Sequence, residues 1–293
     1  MGYWCFGGAD YGAVIFGRSI MLKKRYQEDM MSSLKNKKLF LLDMDGTIYI
    51  DNELFDGTQE FLDYIKNIGG RYIFLTNNSS KSVKKYIEKL CSLGIDADRE
   101  DFLTSTNVTA LYLKNKGYKK IYAFGTKAFK EQLSEAQLPI VDRREEGIDC
   151  LCMGFDTELN FQKLEDACIL LNQGVDYIAT NIDRVCPTWY GFVPDCGSVS
   201  QMLCNATGRM PKFIGKPEPD MVELAMKKTG FGREETAVVG DRLYTDIACG
   251  VNAGVSTVFV LSGEGKMEDI EKSDVKPEVV CKNIRDLYNY LIH

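Results

Sequence analysis

The feature that most constrains the fold is a repeated alternation, starting at Lys38, between short apolar runs and longer amphipathic segments. The short runs are rich in β-branched and aromatic residues and end at Asp, Thr or Gly, as strands do when a turn follows. The longer segments carry apolar residues at helical spacing, such as Phe61, Leu62 and Ile65. This rhythm is typical of parallel sheets whose connections are helices. We therefore predict an α/β fold with a doubly wound parallel-sheet core.

Individual elements can be assigned along the chain. Strands are predicted at residues 39–42, 72–75, 121–124, 150–153, 177–180, 237–239 and 255–260. A second helical face is predicted from the spacing of Val83, Ile87, Leu90 and Cys91. Residues 1–33 lack this pattern, and their positive charges follow the apolar stretch at 14–16, unlike those of a signal peptide. We predict that residues 1–33 form an N-terminal tail outside the core.

The composition excludes several classes of partner. Lys and Arg total 36 against 42 Asp and Glu, a net charge of -6 without a long basic run, so nucleic acid is not an expected partner. No stretch approaches the about 18 consecutive apolar residues of a membrane helix, so no membrane association is expected. The ten cysteines are irregularly spaced in a large chain, which favours buried free thiols and a cytoplasmic location.

The single histidine is His293. A Ser-His-Asp triad, a histidine nucleophile and a histidine-rich metal site therefore cannot be assembled within this chain. No cysteine has the spacing to an arginine that a cysteine-based phosphatase requires. Any catalysis must use carboxylates, Lys, Thr or Cys.

An acidic pair directly follows the first predicted strand, in the sequence DMDGT. Because side chains alternate along an extended chain, Asp43 and Asp45 are expected to project to one side. Two carboxylates in so small a volume need a cation or a proton between them, and both conditions suit phosphoryl transfer. An acidic turn without chemistry is the alternative.

Three further polar segments accompany this pair. TNNSS, from Thr76, offers hydroxyl and N–H groups to a phosphate, although Ser and Asn are also common helix N-caps. GKP provides Lys216, for which an ordinary surface position is the alternative. GDRLYTD places Asp241 at a strand end and Asp246 in the next helix, where they could help to bind a hard cation. Open parallel sheets bind ligands at the carboxyl ends of their strands, so these groups are expected to meet.

In this order, DMDGT, TNNSS, GKP and GDRLYTD resemble the four motifs of the haloacid dehalogenase superfamily, specifically its NagD-like and p-nitrophenylphosphatase branch. The resemblance runs from about Lys38 to the C-terminus and implies a Rossmann-like core. It also implies an Mg²⁺-dependent phosphatase whose substrate is a small phosphorylated metabolite. The acid at position 45 points to phosphatases, because the dehalogenases of the superfamily lack a carboxylate there.

The resemblance implies a role for each motif. Asp43 would attack phosphorus, and Asp45 would protonate the leaving oxygen and later activate water. Mg²⁺ would be held by Asp43, Asp241 and the carbonyl of Asp45, with Asp246 orienting these ligands. The residues that would bind the phosphoryl group are Thr76, Asn77, Asn78 and Lys216.

The distances between motifs locate an inserted domain. Thr76 follows Asp45 by 31 residues, which leaves room for one helix and one strand, whereas Lys216 follows Thr76 by 140 residues. A single βαβ unit needs only about 30 residues. We predict that residues 34–117 and 209–293 form the core and that residues 118–208 form a smaller α/β cap. The cap residues predicted to face the leaving group, with ordinary loop packing as the alternative, are Asp183, Cys186, Trp189 and Tyr190.

Other functions remain open from the sequence. A phosphotransferase or phosphomutase would form the same aspartyl-phosphate, although the predicted cap position favours hydrolysis. A phospho-acceptor signalling domain also combines clustered Asp with Thr and Lys, but it is smaller and its acidic residues are adjacent. A binding protein without catalysis is disfavoured because every catalytic position is occupied. The sequence leaves the physiological substrate and homodimer formation open.

Overall fold

The computed structural model describes residues 33–188 and 190–293. Almost all of the predicted tail, residues 1–32, and the predicted cap residue Trp189 therefore lie outside the described residues. The strands are β1 (Leu39–Leu42), β2 (Tyr49–Ile50), β3 (Glu53–Leu54), β4 (Arg71–Thr76), β5 (Phe102–Thr104), β6 (Ile121–Phe124), β7 (Ile140–Val141), β8 (Cys150–Met153), β9 (Asp176–Ala179), β10 (Val185–Thr188), β11 (Gly191–Pro194), β12 (Lys212–Phe213), β13 (Thr236–Gly240), β14 (Ser256–Val260) and β15 (Val279–Cys281).

Ten α-helices lie within the described residues: α1 (Thr58–Asn67), α2 (Val83–Ser92), α3 (Ser105–Lys116), α4 (Lys127–Glu135), α5 (Phe161–Asn172), α6 (Cys196–Thr207), α7 (Asp220–Thr229), α8 (Ala248–Ala253), α9 (Met267–Lys272) and α10 (Ile284–Ile292). Two 3₁₀ turns cover Arg99–Asp101 and Arg233–Glu235, and a π-helix covers Leu243–Ile247. None of the helices in this described part combines the length and the apolar character that a membrane crossing requires.

The larger sheet contains six parallel strands in the order β15-β14-β13-β1-β4-β5. The chain runs from β1 outward to β5 on one side and later returns to β13 on the other side of β1. The strand order therefore reverses between β1 and β13. Doubly wound sheets bind their ligands at this switch point, beyond the carboxyl ends of the strands.

Side chains alternate along the strands, so each face of this sheet is apolar and packs against a layer of helices. Phe40 and Leu42 of β1 belong to one apolar cluster, which includes the buried faces of α1, α2 and α10. Leu39 and Leu41 belong to a second cluster, which includes residues of α3, α7 and α8. Because the sheet is covered on both faces, β1 is apolar throughout. The predicted doubly wound core is confirmed.

The smaller sheet contains five parallel strands in the order β12-β9-β8-β6-β7. Cys150 and Cys152 of β8 face the second cluster of the core, whereas Leu151 and Met153 face a third cluster with α5 and α6. Gly117, at φ 70, ends α3 just before this unit begins. The predicted smaller α/β domain is thus present, and its sheet shares apolar packing with the core.

One boundary differs from the prediction. β12 lies beyond residue 208, within the segment that we predict as core, yet Lys212 and Phe213 pair with β9 of the smaller sheet. A two-residue strand is too short to show any periodicity, so the sequence does not reveal it. Two antiparallel hairpins, β2-β3 and β10-β11, complete the described fold.

Candidate active site

The switch point of the larger sheet brings two motif aspartates side by side. Asp43 directly follows β1 and Asp241 directly follows the neighbouring strand β13. The N–H of Asp43 donates to the carbonyl of Val239 at 2.9 Å, which continues the pairing of the two strands beyond β1. The sheet therefore fixes the backbone from which both carboxylates project.

Lys216 reaches this point from the segment between the two sheets. Its Nζ lies 2.6 Å from Asp43 Oδ1 and 2.5 Å from Asp246 Oδ1, and the side chain is buried. Asn77 fixes the lysine backbone, because its Oδ1 accepts the Lys216 N–H at 2.9 Å and its Nδ2 donates to the Lys216 carbonyl at 3.0 Å. The lysine is part of the site, and the alternative of an ordinary surface position is wrong.

Three carboxylates form a compact cluster. Ligand atoms of Asp43, Asp241 and Asp246 all lie within 4.8 Å of one another. Both oxygens of Asp246 already have partners, since Oδ1 binds Lys216 and Oδ2 accepts the Arg242 N–H at 3.1 Å. Asp241 Oδ2 accepts the Glu264 N–H at 2.6 Å, but its Oδ1 is buried and has no partner within the described residues.

This donor set fits a hard divalent cation. Buried polar atoms normally have partners, so the unpaired Asp241 Oδ1 indicates a missing one. Carboxylate oxygens are the ligands that Mg²⁺ and Ca²⁺ prefer. The residues best placed to hold the cation are Asp43 and Asp241, whereas the contacts of Asp246 suit an orienting role.

Two glycines allow the carboxylates to pack so closely. A side chain at Gly240 would collide with Asp246, and one at Gly263 would collide with Asp241. Both collisions involve buried carboxylates that have little room to move. Positions 240 and 263 therefore require glycine if the carboxylates are to pack in this arrangement.

Burial and mutual repulsion shift the ionisation of these groups. Burial, reinforced by Asp246, raises the pKa of Asp43 well above its usual value despite the opposing effect of Lys216. Burial likewise raises the pKa of Asp241 to about 7, with Asp246 again contributing. Burial alone would lower the pKa of Lys216, but the carboxylates of Asp246 and Asp43 outweigh it and raise this pKa. A bound cation would relieve the repulsion among the carboxylates.

Asp45 lies at the mouth of the site. Its side chain is 46% exposed, whereas that of Asp43 is 16% exposed. The hydroxyl of Tyr49 donates to Asp45 Oδ2 at 3.2 Å, and Lys89 Nζ lies 3.7 Å from Asp45 Oδ1. Met44, between the two aspartates, is buried in the core as the alternation predicts.

A cavity of about 90 Å³ lies beside Asp43, Asp45 and Lys216. The residues predicted from the core motifs that line it are Asp43, Asp45, Thr76, Asn77, Asn78 and Lys216. Thr76 Oγ1 accepts the Asn78 N–H at 3.2 Å, and Asn78 Oδ1 accepts the Ser80 N–H at 3.0 Å. Side chains of the TNNSS segment thus bind the backbone N–H groups two residues further on, which forms a turn at the end of β4.

The predicted cap residues separate into different positions. Asp183 is buried and lines the same cavity as Asp43, with its Oδ1 3.3 Å from Asn77 Nδ2 and its Oδ2 3.9 Å from an Arg242 nitrogen. Cys186 also lines this cavity. Tyr190, by contrast, is 63% exposed at the turn of the β10-β11 hairpin. Asp183 therefore faces the carboxylate and lysine cluster as well as the cap.

A second cleft of about 210 Å³ adjoins the first through Asp45 and Arg242. Its walls include Thr188 and Phe192 of the β10-β11 hairpin and Glu264 of the loop after β14. Arg242 forms an ion pair with Glu264 at 2.8 Å as well as its contact with Asp183. The hairpin thus forms part of the wall beside Asp45 and Asp241.

Sequence reasoning missed several residues that line the two clefts: Lys81, Thr188, Phe192, Asp195, Arg242, Thr245 and Glu264. Lys81 directly follows Ser80 of TNNSS, and Arg242 directly follows the predicted metal ligand Asp241. Their positions next to these motifs could have indicated that they lie at the site. Thr245 lies within GDRLYTD, directly before Asp246.

Comparison with known proteins agrees with this geometry. A family model described as haloacid dehalogenase-like hydrolase matches residues 40–139, and one described as HAD-hydrolase-like matches residues 213–287. An acid sugar phosphatase of Staphylococcus haemolyticus is 34% identical over 252 residues, which cover 86% of this chain and 95% of that protein.

Solved structures give the same result. The 4-nitrophenylphosphatase of Thermotoga maritima is 41% identical, with a TM-score of 0.83 over 88% of this chain and 98% of its own. The glycerol phosphate phosphatase of Mycobacterium tuberculosis, solved in complex with magnesium, is 29% identical, with a TM-score of 0.81 over 87% of this chain and 78% of its own. The same protein was also solved with calcium. The chain belongs to the haloacid dehalogenase-like hydrolases, and within them to the NagD-like phosphatases.

Proposed function

We propose that this chain hydrolyses a small phosphomonoester in an Mg²⁺-dependent reaction through an aspartyl-phosphate on Asp43. The observation that carries the proposal is the contact of Lys216 Nζ with Asp43 at 2.6 Å, beside the buried and unpaired Oδ1 of Asp241. A nucleophilic carboxylate, a fixed cationic group and an unpaired ligand oxygen then lie in one compact cluster. These are the groups that positioning and charge stabilisation of a phosphoryl group require.

Two displacements at phosphorus complete the reaction. In the first, an Asp43 carboxylate oxygen forms a bond to phosphorus while the bond to the leaving oxygen breaks, and that oxygen takes its electron pair and a proton from Asp45. In the second, water attacks phosphorus and gives a proton to Asp45, while the bond to Asp43 breaks and the electron pair returns to the carboxylate. The products are an alcohol and inorganic phosphate.

The chain itself holds the phosphoryl group through a limited set of groups. Lys216 supplies positive charge, and Thr76 and Asn78 present polar groups along the cavity wall. Asn77 acts through Lys216, because its amide is bonded to the lysine backbone. When bound by Asp43 and Asp241, Mg²⁺ would neutralise charge on the transferring phosphoryl group.

The leaving group would occupy the adjoining cleft of about 210 Å³, beside Asp45. Its mixed lining of Phe192, Thr188 and Glu264 suits a small, partly polar group. The similar proteins are named for acid sugar phosphatase, 4-nitrophenylphosphatase and glycerol phosphate phosphatase activities. We propose a sugar phosphate or a similar polyol phosphate as the substrate class.

Trapping the covalent intermediate tests the proposal. The wild-type protein, mixed with ³²P-labelled substrate and Mg²⁺ and quenched in acid, should carry hydroxylamine-sensitive label, and Asp43→Asn should carry none because an amide cannot form the acyl phosphate. Asp274→Asn, which removes an exposed carboxylate, is the matched control and should label as the wild type does. Equal labelling of Asp43→Asn would contradict the assignment.

Product stoichiometry separates hydrolysis from transfer. With glycerol added as an acceptor, hydrolysis releases inorganic phosphate and alcohol in equal amounts. A deficit of phosphate, matched by a new phosphorylated product, would identify a phosphotransferase instead.

A further inference from the structure

A tight turn places Tyr49 directly against Asp45. The carbonyl of Met44 accepts the N–H groups of Thr47 and Ile48 at 3.2 and 3.0 Å, and the N–H of Gly46 donates to the carbonyl of Tyr49 at 2.8 Å. These bonds fold the chain back, so that the Tyr49 hydroxyl donates to Asp45 Oδ2 at 3.2 Å. Burial, followed by the effect of Asp45, raises the pKa of Tyr49, so its hydroxyl keeps the proton that it donates.

Lys89 of α2 contacts both of these residues. Its Nζ lies 3.7 Å from Asp45 Oδ1 and 3.7 Å from the centre of the Tyr49 ring. The Lys89 side chain is 22% exposed, whereas that of Lys85, one turn earlier on the same helix, is 67% exposed. The ammonium therefore leaves much of its water for an aromatic face and a carboxylate, an arrangement in which a cation–π contact is strengthened.

The two contacts bracket the carboxyl group of Asp45. One oxygen meets a hydroxyl donor and the other meets a cation, from elements that are separate in sequence. An aspartate whose side chain is 46% exposed would otherwise rotate among its staggered conformers. Proton transfer requires the acid to lie within hydrogen-bond reach of the oxygen that it protonates. The contacts with Tyr49 and Lys89 therefore restrict the orientation of the Asp45 carboxyl group, on which proton transfer depends.

We propose that Tyr49 and Lys89 are positioning residues, which hold the carboxyl of Asp45 in the orientation from which it protonates the leaving oxygen. This inference rests on the proposed function. Neither residue lines the cavity of about 90 Å³ that we assign to the phosphoryl group. The group of the site that both side chains contact is the carboxyl of Asp45.

The proposal predicts a loss that depends on the leaving group. When the bond from phosphorus to a sugar or glycerol oxygen breaks, the electron pair goes to that oxygen, which needs the proton of Asp45 to leave as an alcohol. A p-nitrophenolate leaves as a stable anion and does not need this proton. The value of kcat/KM reports the step that forms the aspartyl-phosphate, so comparing the two substrates isolates leaving-group protonation.

The experiment compares Lys89→Met and Tyr49→Phe with the wild type. For each variant, kcat/KM with glycerol phosphate should fall by about 10-fold or more, and with p-nitrophenyl phosphate by less than about 3-fold. Lys89→Arg should recover part of the loss, because it restores the cation. Lys85→Met removes an exposed lysine from the same helix and is the matched control, with no expected change.

Two further measurements make the result decisive. Asp45→Asn should show the same dependence on the leaving group with a larger loss, which confirms that the substrate pair detects the general acid. Tyr49→Phe removes one hydroxyl oxygen and keeps the buried ring. It therefore still tests whether these contacts orient Asp45 if Lys89→Met fails to fold.

An equal loss on both substrates would mean that the two residues only support the fold around β2, and no loss on either would also overturn the inference. If the wild type hydrolyses neither substrate, the proposed function fails. If it hydrolyses both and only Asp45→Asn shows the selective loss, this inference fails alone.

Discussion

Replacing Lys216 by Met would leave Asp43, Asp241 and Asp246 in one buried cluster without their only bonded ammonium among the described residues. Lys216 Nζ lies 2.6 Å from Asp43 and 2.5 Å from Asp246, where the Coulomb attraction is about 6 kcal/mol per contact at an effective dielectric constant of about 20. Desolvation of the ammonium offsets much of this attraction. Removing one partner of a buried ion pair costs about 3–5 kcal/mol, and we expect the free energy of unfolding to fall by this amount at about pH 8 in EDTA.

The loss in free energy of unfolding that Lys216→Met causes should depend on pH in a defined direction. The pKa of Asp241 is already raised to about 7, and loss of Lys216 would raise it further. In the unfolded chain an aspartate has a pKa of about 3.9, so each folded protein gains stability as pH falls below the folded pKa of its Asp241. Because this folded pKa is higher in the variant than in the wild type, the gain begins at a higher pH in the variant. The deficit relative to the wild type should shrink between about pH 8 and pH 5.

Urea unfolding followed by circular dichroism measures this effect. Lys227→Met removes an exposed lysine and is the control for loss of a charge. Adding Asp246→Asn to Lys216→Met should recover part of the lost stability, because it removes one of the repelling carboxylates. A deficit below about 1 kcal/mol, or one that does not change with pH, would refute the assignment of Lys216 as the cation that neutralises this cluster.

Two other predictions address the cation and the substrate. Asp241→Ala should lose the rise in Tm that Mg²⁺ produces in the wild type and should reduce activity by about 10² or more; an unchanged response of Tm to Mg²⁺ would contradict its role as a ligand. Phe192→Ala should change the ratio of kcat/KM between a sugar phosphate and glycerol phosphate by about 10-fold, the scale of a lost apolar contact. Phe161→Ala removes another exposed phenylalanine, 79% exposed on α5, and should leave this ratio unchanged.

The sequence predicts the parts of this fold whose burial is uniform. The predicted strands at 39–42, 121–124 and 150–153 coincide with β1, β6 and β8, because each strand is buried on both faces and reads as a continuous apolar run. The motif aspartates Asp43 and Asp241 were locatable for the same reason, since each directly follows such a run. Their proximity in space follows from the parallel sheet.

Elements without a periodic signal escaped prediction. The π-helix Leu243–Ile247 and the two-residue strand β12 have no characteristic spacing, and the β10-β11 hairpin is too exposed to show alternation. On α2, spacing favoured Cys91, which is exposed, whereas the buried aromatic residue of that face is Tyr86. Contacts between distant segments, such as Lys89 with Asp45, depend on tertiary packing that no local pattern encodes.

The β10-β11 hairpin has a consequence for how such a protein diversifies. It forms a two-stranded sheet of its own, and Tyr190 and Phe192 on it are 63% and 62% exposed. Exposed substitutions usually change stability by less than about 0.5 kcal/mol, so mutations here can accumulate without unfolding the chain. The carboxylates at the ends of β1 and β13 are held by a different sheet. Gene duplicates could therefore diverge in substrate range while inheriting the same reaction.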